Sequence, residues 1–322
     1  MSPDPIRVQS DRLTVEVAQP GSVYRRTRFD WTGFVTQVTL DGAHTFCVPE
    51  SYDPRKGTGG VGLCGEFGYD RALGYAEAKP RDLFPKLGIG LLRKPDNDPV
   101  RSGRAYEIVT PFPVRIEQAP TQVTFTVDPV PCNGYAARTT KTLRVDGSVL
   151  EIAEQLENVG TKPIQTEEYY HNFVGLDEQP VGPAYRLTFP CEWKPEPFVE
   201  SFRTQLPGLL GKITPGFVLT WLVKLFMDDS ILTFDGNCIS FKSTPRRMFY
   251  SRSSGFHRTD QPKWEMAHIP TGVSTREVDD FAPFRVAIWG ASHVVSAEVF
   301  VDLDVAPGET QTWYRRYEFS AL

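Results

Sequence analysis

The chain has 322 residues, a formal net charge of −5, 26 Gly, 27 Pro and 12% aromatic residues. A mildly acidic chain lacks the electrostatic footprint of a general nucleic-acid binder, and a chain this rich in apolar and aromatic side chains is not disordered. The Gly and Pro load also excludes a helical bundle, because both residues break helix interiors.

Taken in chain order, short alternating runs separated by turn residues predict strands. The first are Arg12 to Ala18 and Phe34 to Leu40, the second ending at the Asp41-Gly42 turn. The segment from Arg71 to Lys94, rich in Gly, Pro and Lys, reads as a loop. Gln122 to Val127 alternates, and Thr139 to Val145 followed by Val149 to Leu156 reads as a hairpin around Asp146-Gly147. Thr166 to Phe173, Ala184 to Phe189 and Ile231 to Phe234 follow, then Phe284 to Trp289, Val294 to Leu303 and Thr310 to Phe319. Only Gly208 to Asp229 reads as a modest helix or an irregular insertion. The expected fold is therefore all-β, a large antiparallel β-sandwich, with one domain over 1–322 and an insertion at about 206–230.

Cys47, Cys64, Cys132, Cys191 and Cys238 are odd in number and widely spaced, with no C-x-x-C pair. This excludes a disulfide framework and a zinc site, and predicts a reducing, cytoplasmic setting. The N-terminus has no signal-peptide pattern, and no run of 18 apolar residues predicts a membrane span. Nothing in the sequence states an oligomeric state.

No G-x-G-x-x-G opening a helix, P-loop, H-E-x-x-H or G-x-S-x-G is present, so chemistry must come from polar residues placed within strands. In Glu167 to Phe173 a strand puts Tyr169, His171 and Phe173 on one face and Glu168, Tyr170 and Asn172 on the other. An imidazole among aromatic rings suits proton transfer near neutrality beside a stacked sugar ring, although a half-buried, hydrogen-bonded structural His fits the same pattern. In Val294 to Asp302, Glu298 falls opposite the Val295, Ala297, Val299 and Val301 face. Glu is unusual at mid-strand. Glu298 either faces solvent or lines a cleft, where desolvation would make it a general base. In Tyr24 to Trp31 an extended chain puts Arg26, Arg28 and Asp30 on one face, as a solvated basic edge or as donors to a ligand. The glycine-rich run from Gly59 to Gly68 reads as a tight loop carrying Glu66 toward a ligand. With Tyr169 and the strand-borne Trp289, these are the candidate binding residues. His44, His257, His268 and His293 show no metal-ligand spacing and read as structural or exposed, so neither metal nor cofactor is expected.

Four segments together resemble the galactose mutarotase-like group, which includes the aldose 1-epimerases. They are Leu156 to Ile164 with its Asn-x-Gly turn and Pro163, Tyr169 to Phe173, Ser296 to Phe300, and Pro307-Gly308-Glu309-Thr310 with Trp313. Their order and spacing hold over about residues 10 to 320. The early G-R-x-x-N-R signature of that group is absent, and Arg26 to Trp31 stands in its place. The group's second His has no counterpart here, and the Glu66 loop is not part of the group's pattern. The resemblance implies a β-supersandwich with a carbohydrate cleft and a cofactor-independent epimerase. In it Glu298 takes the anomeric hydroxyl proton and His171 protonates the ring oxygen; the acid–base reading requires the two to line one pocket, about one sugar ring apart. The same fold also hosts uronic-acid lyases and proteins that only bind sugars, so the ligand expected is a small carbohydrate or sugar-like molecule. In a lyase, Arg26 or Arg28 would neutralise the substrate carboxylate.

Overall fold

The computed structural model describes residues 3–196, 215, 218, 225–253, 256 and 263–321. Most of the 206–230 insertion and His257 lie outside the described residues. The described chain forms a nine-stranded sheet, a ten-stranded sheet and a three-stranded sheet, all antiparallel within the named pairs. Its helical residues are the short 3-10 turns Leu176–Glu178 and Asp229–Ile231, with Val218, Leu225 and Phe226 in α-helical conformation. The architecture is the all-β antiparallel sandwich that the alternating runs predict.

The nine-stranded sheet runs Ile6–Gln9, Leu13–Val17, Val35–Leu40, Gly62–Phe67, Ile164–Phe173, Val294–Val305, Arg285–Ala291 and Phe249–Ser253, with His44–Thr45 paired to Val35–Leu40. The ten-stranded sheet has Thr310–Ser320 at its centre, between Val149–Asn158 and Val273–Asp279. Apolar side chains from both sheets, among them Val15, Val38, Leu150, Ile152, Trp264 and Val299, form the main core. Strands such as Thr310–Ser320 alternate buried and exposed residues, as a sheet with one solvated face should. Ile164–Phe173 and Val294–Val305 are instead buried on both faces over most of their length. One face of these two strands meets the other sheet, and the second is covered by the chain around Tyr24 to Phe34 and by the 69–94 region.

Three local expectations are corrected. Arg71 to Lys94 is not a loop, because Leu83–Lys86 pairs with Gly90–Arg93, which pairs in turn with Glu107–Pro111. Lys79 is exposed, but Lys86 and Lys94 are buried on backbone acceptors. Lys94 Nζ donates to the carbonyls of Tyr75 and Ala78 at 2.9 and 2.8 Å, and Lys86 Nζ donates to that of Phe67. The Glu66 run is not a loop either. Gly62–Phe67 is a strand beside the His171 strand, and the preceding glycine is a packing requirement. A Cβ on Gly60 would lie 2.2 Å from the Phe173 ring. The third correction is the hairpin turn, which is centred on Gly147 and Ser148. Asp146 pairs with Val149, and Gly147 takes φ +52°.

The sheets are joined by a buried polar network. Glu168, Tyr170 and Asn172 point into the sandwich. Fully buried Arg315 reaches Glu168 at 2.6 Å, Glu277 at 3.3 Å and Asp279 at 3.7 Å. The Asn172 amide donates to Glu277 and to the Ala297 carbonyl, and its oxygen accepts from the Tyr317 hydroxyl. Burial raises the Glu277 and Asp279 carboxyls above their ordinary range, with Arg315 opposing it. Removing the cation would leave these acids without it. Arg315→Met should therefore cost about 3–5 kcal/mol of stability, read from urea unfolding near neutral pH. An unchanged midpoint would show that the network does not hold the sheets together.

Candidate active site

The sheet register assembles the candidate residues. His171 pairs with Cys64 on one side, and Ala287 pairs with Glu298. The register linking Ile164–Phe173 to Val294–Val305 passes through Tyr169 opposite Phe300, which puts His171 opposite Glu298 two residues further on. The ladder stops at Tyr169 and resumes at the Val174–Val295 bridge. In the gap the Asn172 backbone N–H donates to Ser296 Oγ at 3.0 Å, and its side-chain amide to the Ala297 carbonyl at 2.7 Å. One row further along the same face lie Glu66, Tyr169, Phe300 and Arg285.

His171 Nε2 lies 3.2 Å from Glu298 Oε1. The two groups share one site but touch, closer than the sugar-ring separation that the acid–base reading sets. Only 3% of His171 and 6% of Glu298 is exposed. The imidazole stacks on Phe173 with centroids 4.0 Å apart and rings 11° from parallel. The edges of Trp289 and Phe29 close on it at 5.2 and 5.8 Å. Its Nδ1 is buried and finds no hydrogen-bond partner among the described residues. That argues against a purely structural His, whose ring nitrogens would be satisfied.

Electrostatics separate the two groups. Burial pushes the Glu298 carboxyl up to about 7 against the opposing guanidinium charges of Arg28 and Arg285. Burial, helped by Arg28, pushes the His171 imidazole well below its ordinary value. Below about pH 7 the pair therefore holds one proton, on Glu298, and it loses that proton as pH rises through that value. An imidazolium–carboxylate ion pair would place a second positive charge near Arg28.

The other sequence candidates divide. Arg28 enters the site with every nitrogen engaged. Nε donates to Glu66 at 2.9 Å, Nη1 to Thr58 at 3.1 Å and Nη2 to the Tyr169 hydroxyl at 2.9 Å. Tyr169 in turn donates to Glu66 at 2.6 Å, so Arg28, Glu66 and Tyr169 form one closed set beside the pair. Trp289 is the half-buried wall described above. Arg26 and Asp30 do not join them. The Tyr24 to Trp31 segment is not an extended strand but a succession of bends. Arg26 is exposed and donates to the Gly57 carbonyl. Asp30 turns into the sandwich, where Lys141 Nζ lies 2.8 Å from its carboxylate and the Thr32 N–H and hydroxyl donate to it. Bends free successive side chains from strict alternation, and a buried lysine elsewhere in the chain captured the acid.

Three site residues carry little local signal. Tyr69 and Tyr250 flank the Tyr169–Phe300 stack, and the charge of Glu298 adds to burial in raising both phenols. Arg285 lies over Phe300, with Cζ 3.8 Å from the ring centroid. Alternation from Trp289 through Ala287 would have placed Arg285 on the site face. Tyr69 comes from outside the sheet and had no such signal. Its neighbours Asp70 and Arg71 are held by Glu167, which accepts both their N–H groups and the Arg71 guanidinium. His44, His268 and His293 are held by Asp177, Thr271 and the Pro49 carbonyl. All five cysteines are free thiols. Among the described residues no His, Cys, Asp and Glu side chains group as a metal site, and no helix is long and apolar enough to cross a membrane.

No protein-family model matches the chain, and no curated protein matches it in sequence. Solved structures match in fold. A galactose mutarotase related enzyme from Lactobacillus acidophilus superposes with a TM-score of 0.58 at 8% identity, covering 98% of this chain and 97% of that one. A galactose mutarotase-like protein from Clostridium acetobutylicum gives 0.57 at 10% identity, over 98% and 95%. The GalM/aldose epimerase homologue from C. elegans gives 0.54 at 12% identity, over 99% of each chain. The chain thus has the galactose mutarotase-like fold, with a sequence far from those proteins.

The raised Glu298 pKa has a consequence for stability. The folded state favours the neutral carboxyl, so its contribution is full below the unfolded value near 4.3 and is lost as pH rises through about 7. Glu298→Gln should therefore stabilise the protein relative to wild type at pH 8, by up to about 3 kcal/mol, and much less at pH 5. Urea unfolding at the two pH values checks this. A variant equally or more stabilised at pH 5 would refute the assigned proton.

Proposed function

We propose that the protein is a cofactor-independent isomerase that interconverts the anomers of a sugar or sugar-like lactol, with His171 and Glu298 as the proton-transferring pair. The observation that carries this reading is their 3.2 Å contact with opposed pKa shifts. Two titratable groups pushed apart by one environment can act as acid and base together.

Opening a lactol ring removes the proton from the anomeric hydroxyl and adds one to the ring oxygen. A pair holding a single proton can do both. With the proton on Glu298, this residue protonates the ring oxygen while neutral His171 takes the hydroxyl proton. Rotation about the exposed C1–C2 bond turns the aldehyde face, and closure returns both protons. The opposite allocation, which the family resemblance implies, is reached when the shared proton crosses to His171 before the reaction. Either allocation conserves the proton count, so no cofactor is needed. The Tyr169–Phe300 stack, with centroids 4.3 Å apart, and Trp289 supply apolar surface for the C–H faces of a ring. Substrate reaches the buried pair only if side chains packed over it, such as Phe29, Arg28 or Trp289, move aside.

Anomerisation followed by polarimetry or NMR on an aldose panel tests the proposal. Glu298→Gln should lower turnover by at least 100-fold with an unchanged far-UV spectrum, the scale of lost general acid–base catalysis. Full turnover in that variant would remove Glu298 from the mechanism. The active form carries one proton, so kcat/KM should fall above about pH 7 as Glu298 ionises. An alkaline limb absent below pH 9 would contradict the assignment.

A further inference from the structure

Arginines on the site face differ in what their guanidinium groups have left to offer. All three Arg28 nitrogens donate within the protein, and Arg252 Nε, although not aligned for a hydrogen bond, is ion-paired with Glu196 at 2.8 Å. Arg71 donates to Glu167, to the Thr166 carbonyl and to Asp302. Arg285 is different. Nη1 donates to Asp70 at 2.7 Å, but Nε and Nη2 are buried and find no hydrogen-bond partner among the described residues. These two nitrogens form the side-on fork of a guanidinium, whose parallel N–H groups match the two oxygens of a carboxylate. Leaving such donors buried and unmet is costly unless something else meets them.

The fork is also in the right place. Arg285 is opposite Phe300, one row from the Ala287–Glu298 pair on the same face. Strand spacing puts it about 4.8 Å across and about 6.7 Å along from Glu298. This is the scale of a pyranose ring measured from its anomeric oxygen to a substituent on C5. Phe300 lies under the guanidinium and stacks on Tyr169. A ring beside this stack could present its anomeric centre to the pair and its far substituent to Arg285.

We propose that the substrate carries a carboxylate, bound by the Nε and Nη2 fork of Arg285, so that the lactol of the proposed reaction is a sugar acid of the uronic-acid type. This rests on the anomerising role assigned to His171 and Glu298. The role that a lyase reading gives to Arg26 or Arg28 falls to Arg285, because Arg26 lies outside the site and Arg28 is fully engaged. A carboxylate fits better than a phosphoryl group. Asp70 already shares the Arg285 charge, and Glu66 stands nearby, so one further negative charge is easier to hold than two.

Titration calorimetry of the whole protein with D-galacturonate, D-glucuronate, D-galactose, D-glucose and glucose 6-phosphate tests the proposal. Each uronate should bind at least about 10-fold more tightly than its neutral aldose, the scale of a charge-assisted hydrogen bond. Arg285→Gln should abolish that ratio, and Arg285→Lys should restore only part of it, because lysine keeps the charge without the fork. If Arg285→Gln does not fold, the wild-type panel decides alone. Equal affinity for uronates and neutral aldoses overturns the proposal, as does tighter binding of glucose 6-phosphate than of either uronate. Uronate discrimination without anomerisation would sink the isomerase and leave the carboxylate fork standing. Anomerisation of neutral aldoses without uronate preference would do the reverse.

Discussion

The structure depends on polar groups buried between its two large sheets. Arg315 from one sheet meets Glu168 of the other, and Asn172 bonds across the sandwich and to the neighbouring strand. These two contacts bracket His171 in sequence. A strand held through residues 168 and 172 on its inner face has little freedom at 171 on its outer face. The same amide of Asn172 stands where the ladder to the Glu298 strand is interrupted, and so controls how His171 and Glu298 face each other. Such a network is costly to bury and costlier to leave incomplete, so it selects one arrangement of the strands.

Burial on both faces makes the pair chemically useful and energetically awkward. Withdrawing Glu298 and His171 from water pushes both toward their neutral forms, which is why one proton serves the two of them. Nearby charges arrive balanced: Arg28 in a closed set with Glu66 and Tyr169, and Arg285 ion-paired with Asp70 through Nη1. They polarise the site without adding large net charge. A cavity of about 840 Å³ opens farther along the same face, between Arg71, Tyr75, Glu77, Lys162 and Asp302. It lies toward the Asp70 end of the site, on the side away from Phe173 and Trp289. Solved structures at 8 to 12% identity share this fold. The sandwich therefore sets where a site can stand, and particular side chains set what it does.

Much of the sheet framework was legible because period-two alternation is a local signal. Gln122–Val127 follows from it residue by residue, and the strands carrying His171 and Glu298 lie within two residues of their expected bounds although both of their faces are buried. The glycine-rich run and the 71–94 region were not legible as strands. Their glycines answer close packing, such as Gly60 on Phe173, and Lys86 and Lys94 answer buried backbone carbonyls in other segments. His171, Glu298, Tyr169 and Trp289 could be singled out because each is an uncommon or aromatic residue on a patterned strand. Asp30 was misplaced because its neighbours do not alternate, and its partner Lys141 is 111 residues away.

The sequence by itself determined an all-β sandwich and the faces on which its strand-borne polar residues fall, because side-chain direction along a strand depends only on parity. Tertiary structure alone decided which of those residues meet. Register brought His171 against Glu298, and bends sent Asp30 inward while Arg28 turned toward Glu66. The hydrogen-bond inventory, not the residue type, separated the committed Arg28 from the uncommitted fork of Arg285. Desolvation, a property of everything packed around a group, then placed the shared proton on Glu298.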